Sequence, residues 1–328
     1  MNFKSYIRPL LLGYCRHYRQ PHQRLALVIG MQPWRDIIGD WVLESSHLQI
    51  QRRFDQQYFQ QWLKPFLNRV NPVIYIWGYK APDYFIDYVR EQKLDIFFLE
   101  DGFIRSSPND ESSAPPLSIV MDSQAPYFDT TRPNDLTDLI ASFDFEQAGY
   151  DETLAQELLD HYVSKRVSKY NHQPYVDVVP IYGIKDKKRI LVLGQVPYDD
   201  SLKYGGGTGI TLLDVVNKAI EENPKAQIIV KPHPMTLDNP NILNTLAALD
   251  CLILTQSIHL VDALETVDHI YTITSLGGLE ALLRGKDVTV LGKPFYKDLS
   301  TSDRKSNTPS LPQLFYICYY AYDFTVTI

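Results

Sequence analysis

Cysteine is scarce in this chain: Cys15, Cys251 and Cys318 stand far apart, and no CxxC spacing occurs. That scarcity excludes a disulfide framework, gives no sign of a zinc site and fits a reducing cytoplasm. No run of about 18 apolar residues exists that could span a bilayer. The N-terminus has basic residues and a short apolar patch, but Arg8-Pro9 interrupts it and no small-residue cleavage site follows, so no signal peptide is read. Basic excess is missing too. With 32 Lys and Arg against 39 Asp and Glu, the formal charge is −7, which argues against nucleic-acid binding through bulk electrostatics and for a small substrate. The turn Thr274 to Glu280 has glycines but neither the GxGxxG nor the GxxxxGK[ST] spacing, so dinucleotide and P-loop readings lose support.

What is present is a globular composition, 45% hydrophobic and 22% charged, over 328 residues, a length that points to two domains. Short apolar runs rich in branched residues alternate with amphipathic stretches. Leu25 to Gly30, a strand near Leu48, Val73 to Trp77, Ile96 to Leu99 and Leu117 to Met121 read as strands. Between them, the sequence predicts a helix opened by Pro33-Trp34 and others over Phe54 to Val70, Pro82 to Gln92, Asn134 to Phe143 and Glu152 to Tyr170. Repeated βαβ units predict an α/β sheet. His172 to Lys188, with its prolines and charged DKK, reads as an interdomain linker, and the strand–helix alternation resumes from Arg189. The expected domains are therefore 1–180 and 181–308, with a closing helix over 309–328. Tyrosines crowd that C-terminus, Tyr316, Tyr319, Tyr320 and Tyr322. Such amphipathic rings suit lipid headgroups, and they equally suit a half-buried helix packing on the N-terminal domain.

Chemistry-bearing residues fall at the carboxyl ends of the predicted strands, where open parallel sheets bind ligands. Ile190 to Leu193 breaks at Gly194 into a polar loop carrying Gln195, Asp199, Asp200, Lys203 and the glycines Gly205 to Gly207. Gln227 to Val230 delivers Lys231 and His233, the latter held between two prolines that keep its neighbours extended. Strand Ile96 to Leu99 ends in Glu100 and Asp101, with Arg105 close behind, and the turn at Ser275 and Gly277 offers free amides to an anion ahead of Glu280. Each has a plainer reading: a solvated acidic turn, a structural histidine, a turning glycine, a solvated helix glutamate.

In combination these motifs resemble a known family. Glu100-Asp101-Gly102-Phe103-Ile104-Arg105-Ser106, the loop from Gly194-Gln195 to Tyr204-Gly205, Lys231-Pro232-His233-Pro234, and the run from Thr274 through Lys286 to Gly292-Lys293-Pro294-Phe295-Tyr296 are similar to the KpsC-like capsule-polysaccharide β-Kdo glycosyltransferases of Gram-negative bacteria, in the same order over about residues 96 to 304. The resemblance implies a GT-B architecture, two Rossmann-like domains facing across a cleft, and transfer of Kdo from CMP-Kdo with retention of configuration. Family members often carry two tandem transferase modules, and this chain has room for one. On that reading Asp200, with Asp199 as the alternative, is the nucleophile, and Asp101 or Glu100 supplies acid/base function. Lys231, His233 and Ser275 hold the CMP phosphate and Glu280 takes the ribose; Gln195, Lys203, Gly277 and Arg105 complete the substrate contacts. No metal and no cofactor beyond the CMP-sugar donor are expected, since the chain lacks a DxD pair of GT-A type. The acceptor would be a glycan or glycolipid and the location cytoplasmic, with peripheral contact at the inner membrane. Two rival readings stay open, a sialyltransferase-like CMP-sugar transferase and a non-catalytic sugar-nucleotide or glycan-binding subunit of a capsule assembly complex.

Overall fold

The computed structural model describes residues 10–13, 16–18, 22–31, 46–50, 53–106, 116–300 and 308–325. The helix expected at Pro33-Trp34, Cys15 and nearly all of the Ser107 to Pro116 loop lie outside them. Two sheets are present. The first orders its strands β11-β5-β4-β3-β1-β2, with β1 at Leu25–Ile29, β2 at Ser46–Ile50, β3 at Val73–Trp77, β4 at Ile96–Asp101, β5 at Ser118–Asp122 and β11 at Asp323–Thr325. β1 to β4 pair in parallel, and all five residues of both β1 and β3 are buried, as apolar runs covered on two faces must be. β5 departs from the βαβ pattern, for it runs antiparallel to β4 and pairs Glu100 with Val120 and Asp101 with Ile119. The two acids therefore end the strand from inside the ladder instead of lying beyond it.

The second sheet is wholly parallel, in the order β10-β9-β6-β7-β8. Its strands are β6 at Arg189–Leu193, β7 at Gln227–Lys231, β8 at Leu252–Ile253, β9 at His269–Thr272 and β10 at Asp287–Val290. Between β6 and β7 runs helix Leu212–Glu222, started by a Thr211/Asp214 capping box and burying Val215, Val216 and Ala219 against β6 and β7. Helix Pro240–Ala247 after β7, which packs Ile242 and Leu246 on the core, has no counterpart among the elements expected from the sequence. Each sheet with its helices is Rossmann-like, so the fold class is the expected α/β.

The division between units differs from the expected one. The first unit comprises Met1–Arg105, Glu111–Pro126 and Tyr322–Ile328; the second comprises Ser106–Asp110 and Tyr127–Ala321. Residues 127–180 thus belong with the second sheet, not the first. The helix expected through Tyr170 stops at Ser164, where Arg166 takes a positive φ of 57°. The segment beyond it is a strap, not a linker. Arg166 pairs with Glu265 at 2.7 Å and with Asp262, the Val176 amide donates to Asp262 at 2.8 Å, and the Tyr182 hydroxyl donates to the Ala263 carbonyl at 2.9 Å.

The C-terminus also differs. Helix Leu311–Tyr316 widens into a π turn over Ile317–Tyr322 and gives way to β11, so it does not run to the end. It packs on Glu152–Ser164 of its own unit. Tyr319 stacks on Phe315 and meets Tyr162, while Tyr316 meets Phe143 and Tyr150. Of the four tyrosines only Tyr320 is exposed, so the ring cluster turns inward rather than forming a lipid-facing belt. Among the described residues no helix is long and apolar enough to cross a membrane.

β11 pins the end of β4. The Asp323 carboxylate accepts from the Phe103 amide at 2.7 Å and the Ser118 hydroxyl at 2.8 Å, and it lies where any side chain at Gly102 would collide with it. Asp323→Ala is expected to destabilise the first unit by roughly 1–3 kcal/mol through these orphaned donors. All four tryptophans of the chain precede β4 in the sequence, and the two described ones, Trp62 and Trp77, lie in that unit, so urea unfolding monitored by tryptophan fluorescence reads it. An unchanged midpoint would show that the terminal strand adds nothing to it.

Candidate active site

At the carboxyl ends of β6, β7, β9 and β10 the loops approach so closely that side chains had to be removed. The Gly194 amide donates to the Lys231 carbonyl at 2.8 Å, and a Cβ at Gly194 would stand 3.0 Å from both the His233 nitrogen and the Pro232 Cα. The Lys293 amide donates to the Gly205 carbonyl at 2.6 Å, and a Cβ at Gly292 would stand 2.8 Å from the Ile273 carbonyl oxygen and 3.0 Å from that of Gly205. Gln195 ties the set together: its Oε1 accepts from the Thr274 amide at 2.7 Å and its Nε2 donates to Thr274 Oγ1 at 2.9 Å. Ser201 Oγ lies 3.3 Å from the same hydroxyl. Gln195 is thus a brace between two loops, with its amide already engaged, rather than an open substrate contact.

The predicted polar loop after β6 contains a helical turn, Asp200–Tyr204. Asp199 is its cap, accepting from the Ser201 amide at 2.7 Å. Before it stands Tyr198, fully exposed and held at φ 74°, a strained backbone for a bulky residue. Asp200 is the first helical residue; it is half-buried, and its carboxylate has no hydrogen bond or ion pair among the described residues. Lys203 donates to Tyr204 Oη at 2.9 Å and lies 4.5 Å over that ring.

Lys231 ends β7 half-buried, with no acceptor or carboxylate bonded to its ammonium among the described residues; burial pulls its pKa down to about 8. His233 Nδ1 accepts from the Met235 amide at 3.2 Å, which leaves Nε2 as the donor in the neutral ring. Burial, and then the Lys231 charge, lower its pKa, while Asp199 pulls it up. Lys231, His233 and Asp199 therefore share one electrostatic neighbourhood. At the next strand end, Ser275 Oγ accepts from the Gly277 amide at 3.2 Å, and its carbonyl accepts from the Tyr296 hydroxyl. Tyr296 is fully buried, in space left by the missing side chain of Gly278.

Glu280 does not open to solvent where a ribose could reach it. It is 2% exposed, its Oε1 accepts from the Lys169 amide at 3.1 Å, and Arg284 stands 3.8 Å from its other oxygen. Burial raises its pKa against the opposing pull of Arg284, Ser168 and Lys169. The expectation failed because a glutamate one turn into a helix points wherever the packing of that helix sends it. In the first unit, Glu100 is half-buried, and Asp101 faces Arg105 with its Oδ2 3.9 Å from the guanidinium Nε. Arg105 is buried beside that acid, so its charge is turned to Asp101.

The structure thus gathers Asp199, Asp200, Lys231 and His233 around one set of strand ends, braced by Gln195, with Ser275 and Gly277 on the adjoining strand; it turns Glu280 inward. Sequence reasoning missed Thr274, Ser201 and Tyr296. The only signal for Tyr296 was its place in the Gly292-to-Tyr296 motif.

Two Rossmann-like units of this kind define the GT-B-like α/β class. The chain belongs to the capsule polysaccharide biosynthesis protein family, whose model matches residues 73–172 and 147–309. It is 30% identical to the lipopolysaccharide-processing protein LpsZ of Rhizobium meliloti over 98% of this chain and 74% of that one. It is 35% identical to the capsule polysaccharide modification protein LipA of Neisseria meningitidis serogroup B over 72% of this chain but 36% of the relative, so it spans about a third of LipA. Two KpsC structures from Thermosulfurimonas dismutans superimpose with TM-scores of 0.64. The β Kdo 2,4 transferase is 27% identical, covering 84% of this chain and 92% of that chain, and the β Kdo 2,7 transferase is 26% identical, covering 92% and 93%. The KpsC-like resemblance of the motifs is borne out.

Lys231 carries a testable cost. Its folded pKa of about 8 lies below the unfolded 10.5, so between those values the unfolded chain binds more protons and this residue makes stability rise with pH. Lys231→Met is expected to melt higher than the wild type at pH 7, with the gap closing by pH 10. Thermal melts at both pH values check this. Lower melting at pH 7 would contradict it.

Proposed function

We propose that this chain is a glycosyltransferase that moves Kdo from CMP-Kdo to a glycan or glycolipid hydroxyl in surface polysaccharide synthesis, with retention of configuration. The observation that carries the reading is the half-buried ammonium of Lys231 beside His233, at strand ends that also hold the carboxylate of Asp200, both without a charged partner among the described residues. A desolvated cation without an anion is stabilised by a ligand that brings one, and a CMP phosphate does so. The similarity to KpsC structures described as β Kdo transferases supports the sugar.

Retention requires two inversions. The Asp200 carboxylate attacks the anomeric carbon of Kdo as the bond to the CMP phosphate oxygen breaks, which yields a glycosyl-enzyme ester and free CMP. An acceptor hydroxyl, giving its proton to a base, then attacks the same carbon and releases the carboxylate. Asp199, spent on capping, ranks behind Asp200. Lys231, His233 and Ser275 take the charge that develops on the departing CMP, and on this account no metal is required. Activity abolished by EDTA and restored by magnesium would refute that part.

Asp200→Asn is expected to retain CMP-Kdo binding and to lose turnover by at least roughly a thousandfold. Wild type given CMP-Kdo without acceptor is expected to gain the mass of one Kdo on the peptide containing Tyr198 to Lys203. Turnover of CMP-Neu5Ac in place of CMP-Kdo would mark a sialyltransferase-like enzyme. Binding of CMP with no release from CMP-Kdo under any acceptor would mark a non-catalytic subunit.

A further inference from the structure

The strap between Arg166 and Tyr182 contains a turn held far more tightly than a connector needs. The Ser168 amide donates to Asn171 Oδ1 at 2.8 Å, and Asn171 Nδ2 donates to the carbonyls of Ser168 at 2.6 Å and Ser106 at 2.7 Å. The Asn171 amide donates to Ser106 Oγ at 3.1 Å, and the Ser106 amide returns a bond to the Lys169 carbonyl at 3.3 Å. Behind the turn, Arg284 bonds the Val167 carbonyl, and Glu280 holds the Lys169 amide. Glu280 is almost wholly buried, and its Oε2 makes no hydrogen bond among the described residues. A carboxylate kept out of water in this state costs stability, so its position calls for a use.

What this scaffold displays is Lys169. Its ammonium lies 3.4 Å from Tyr127 Oη and 5.9 Å from the centre of the exposed Tyr170 ring. Tyr127 packs edge-on against Phe295 at 6.0 Å, Phe295 adjoins Tyr296 at 5.4 Å, and the Tyr296 hydroxyl bonds the Ser275 carbonyl. Lys169 is therefore joined by direct contacts to the strand end of Ser275. An ammonium and a phenol hydroxyl side by side offer two donors to the two oxygens of a carboxylate, and an aromatic face beside them suits the C–H surface of a pyranose. Phosphate already has Lys231 and His233.

We propose that the turn Ser168–Asn171 is a further wall of the substrate site, in which Lys169 binds the carboxylate of an acidic sugar and Glu280 is the positioning residue that holds it there. The inference rests on the transferase reading only for whether donor or acceptor supplies the carboxylate. Lys169→Met is expected to leave CMP affinity within twofold of wild type while raising the KM of CMP-Kdo, or of an acidic acceptor, roughly tenfold or more. The arm that moves identifies the source, and Lys169→Arg restores part of the loss. Saturation-transfer NMR with free Kdo reads the same contact without turnover: signal in wild type and none in Lys169→Met is expected. Glu280→Ala should speed hydrogen exchange at the Lys169 amide and raise the same KM, whereas Glu280→Gln, which keeps an acceptor oxygen, should do neither. Equal Kdo binding by wild type and Lys169→Met, or an unmoved Lys169 amide in Glu280→Ala, would overturn the proposal. Absence of CMP-Kdo turnover together with the expected Kdo and exchange results would sink the transferase reading alone.

Discussion

Close backbone approach at the strand ends is the constraint on which the second unit depends. Neighbouring strands of a sheet lie about 4.8 Å apart, so loops leaving adjacent strands on the same side collide unless side chains are removed or shared. Gly194, Gly205 and Gly292 remove them, and Gln195 shares one, spanning from the β6 loop to Thr274 after β9. The short helix Asp200–Tyr204 sits on this brace through Ser201. Asp200 is positioned because the loops beneath it have no room to move.

Charge is placed on that frame at a cost. Lys231 is driven toward neutrality by desolvation, with no carboxylate offsetting it among the described residues, and His233 is pushed the same way. Elsewhere, the buried charges satisfy donors within the fold: Asp323 holds the Phe103 amide and the Ser118 hydroxyl, Asp262 holds the Val176 amide and the Arg166 guanidinium, and Glu280 holds the Lys169 amide. The contrast separates two uses of a buried ion. A structural ion finds its partner within the fold, whereas the ammonium of Lys231 has none among the described residues, as expected of a group whose partner arrives with a ligand.

The alternation of apolar runs made both sheets readable, because a strand covered on two faces must be apolar where it is covered, as β1 and β3 are throughout, β6 is after Arg189 and β7 is between Gln227 and Lys231. Gly194, Lys231-Pro232-His233-Pro234 and Ser275 were readable as strand-end residues for a related reason: parallel strands send their carboxyl ends to one side of the sheet. Strand direction was not readable for β5, since an antiparallel edge strand has the same local pattern as a parallel one. The boundary at residue 180 failed because proline and charge in His172 to Lys188 describe an exposed chain equally well whether it links two bodies or lies strapped along one.

Local residue order determined the α/β class, the strands and the loops that carry chemistry, since periodicity and turn residues act over a few neighbours in the chain. Tertiary structure decided which of those residues face a ligand. Asp199 became a cap while Asp200 stayed without a partner among the described residues, Glu280 turned inward to Lys169, and Tyr296 reached Ser275 through space left by Gly278. These outcomes depend on contacts between residues as many as 111 positions apart, as Lys169 and Glu280 are. No local propensity encodes such a contact; it exists only once both partners are held by the same packed sheet.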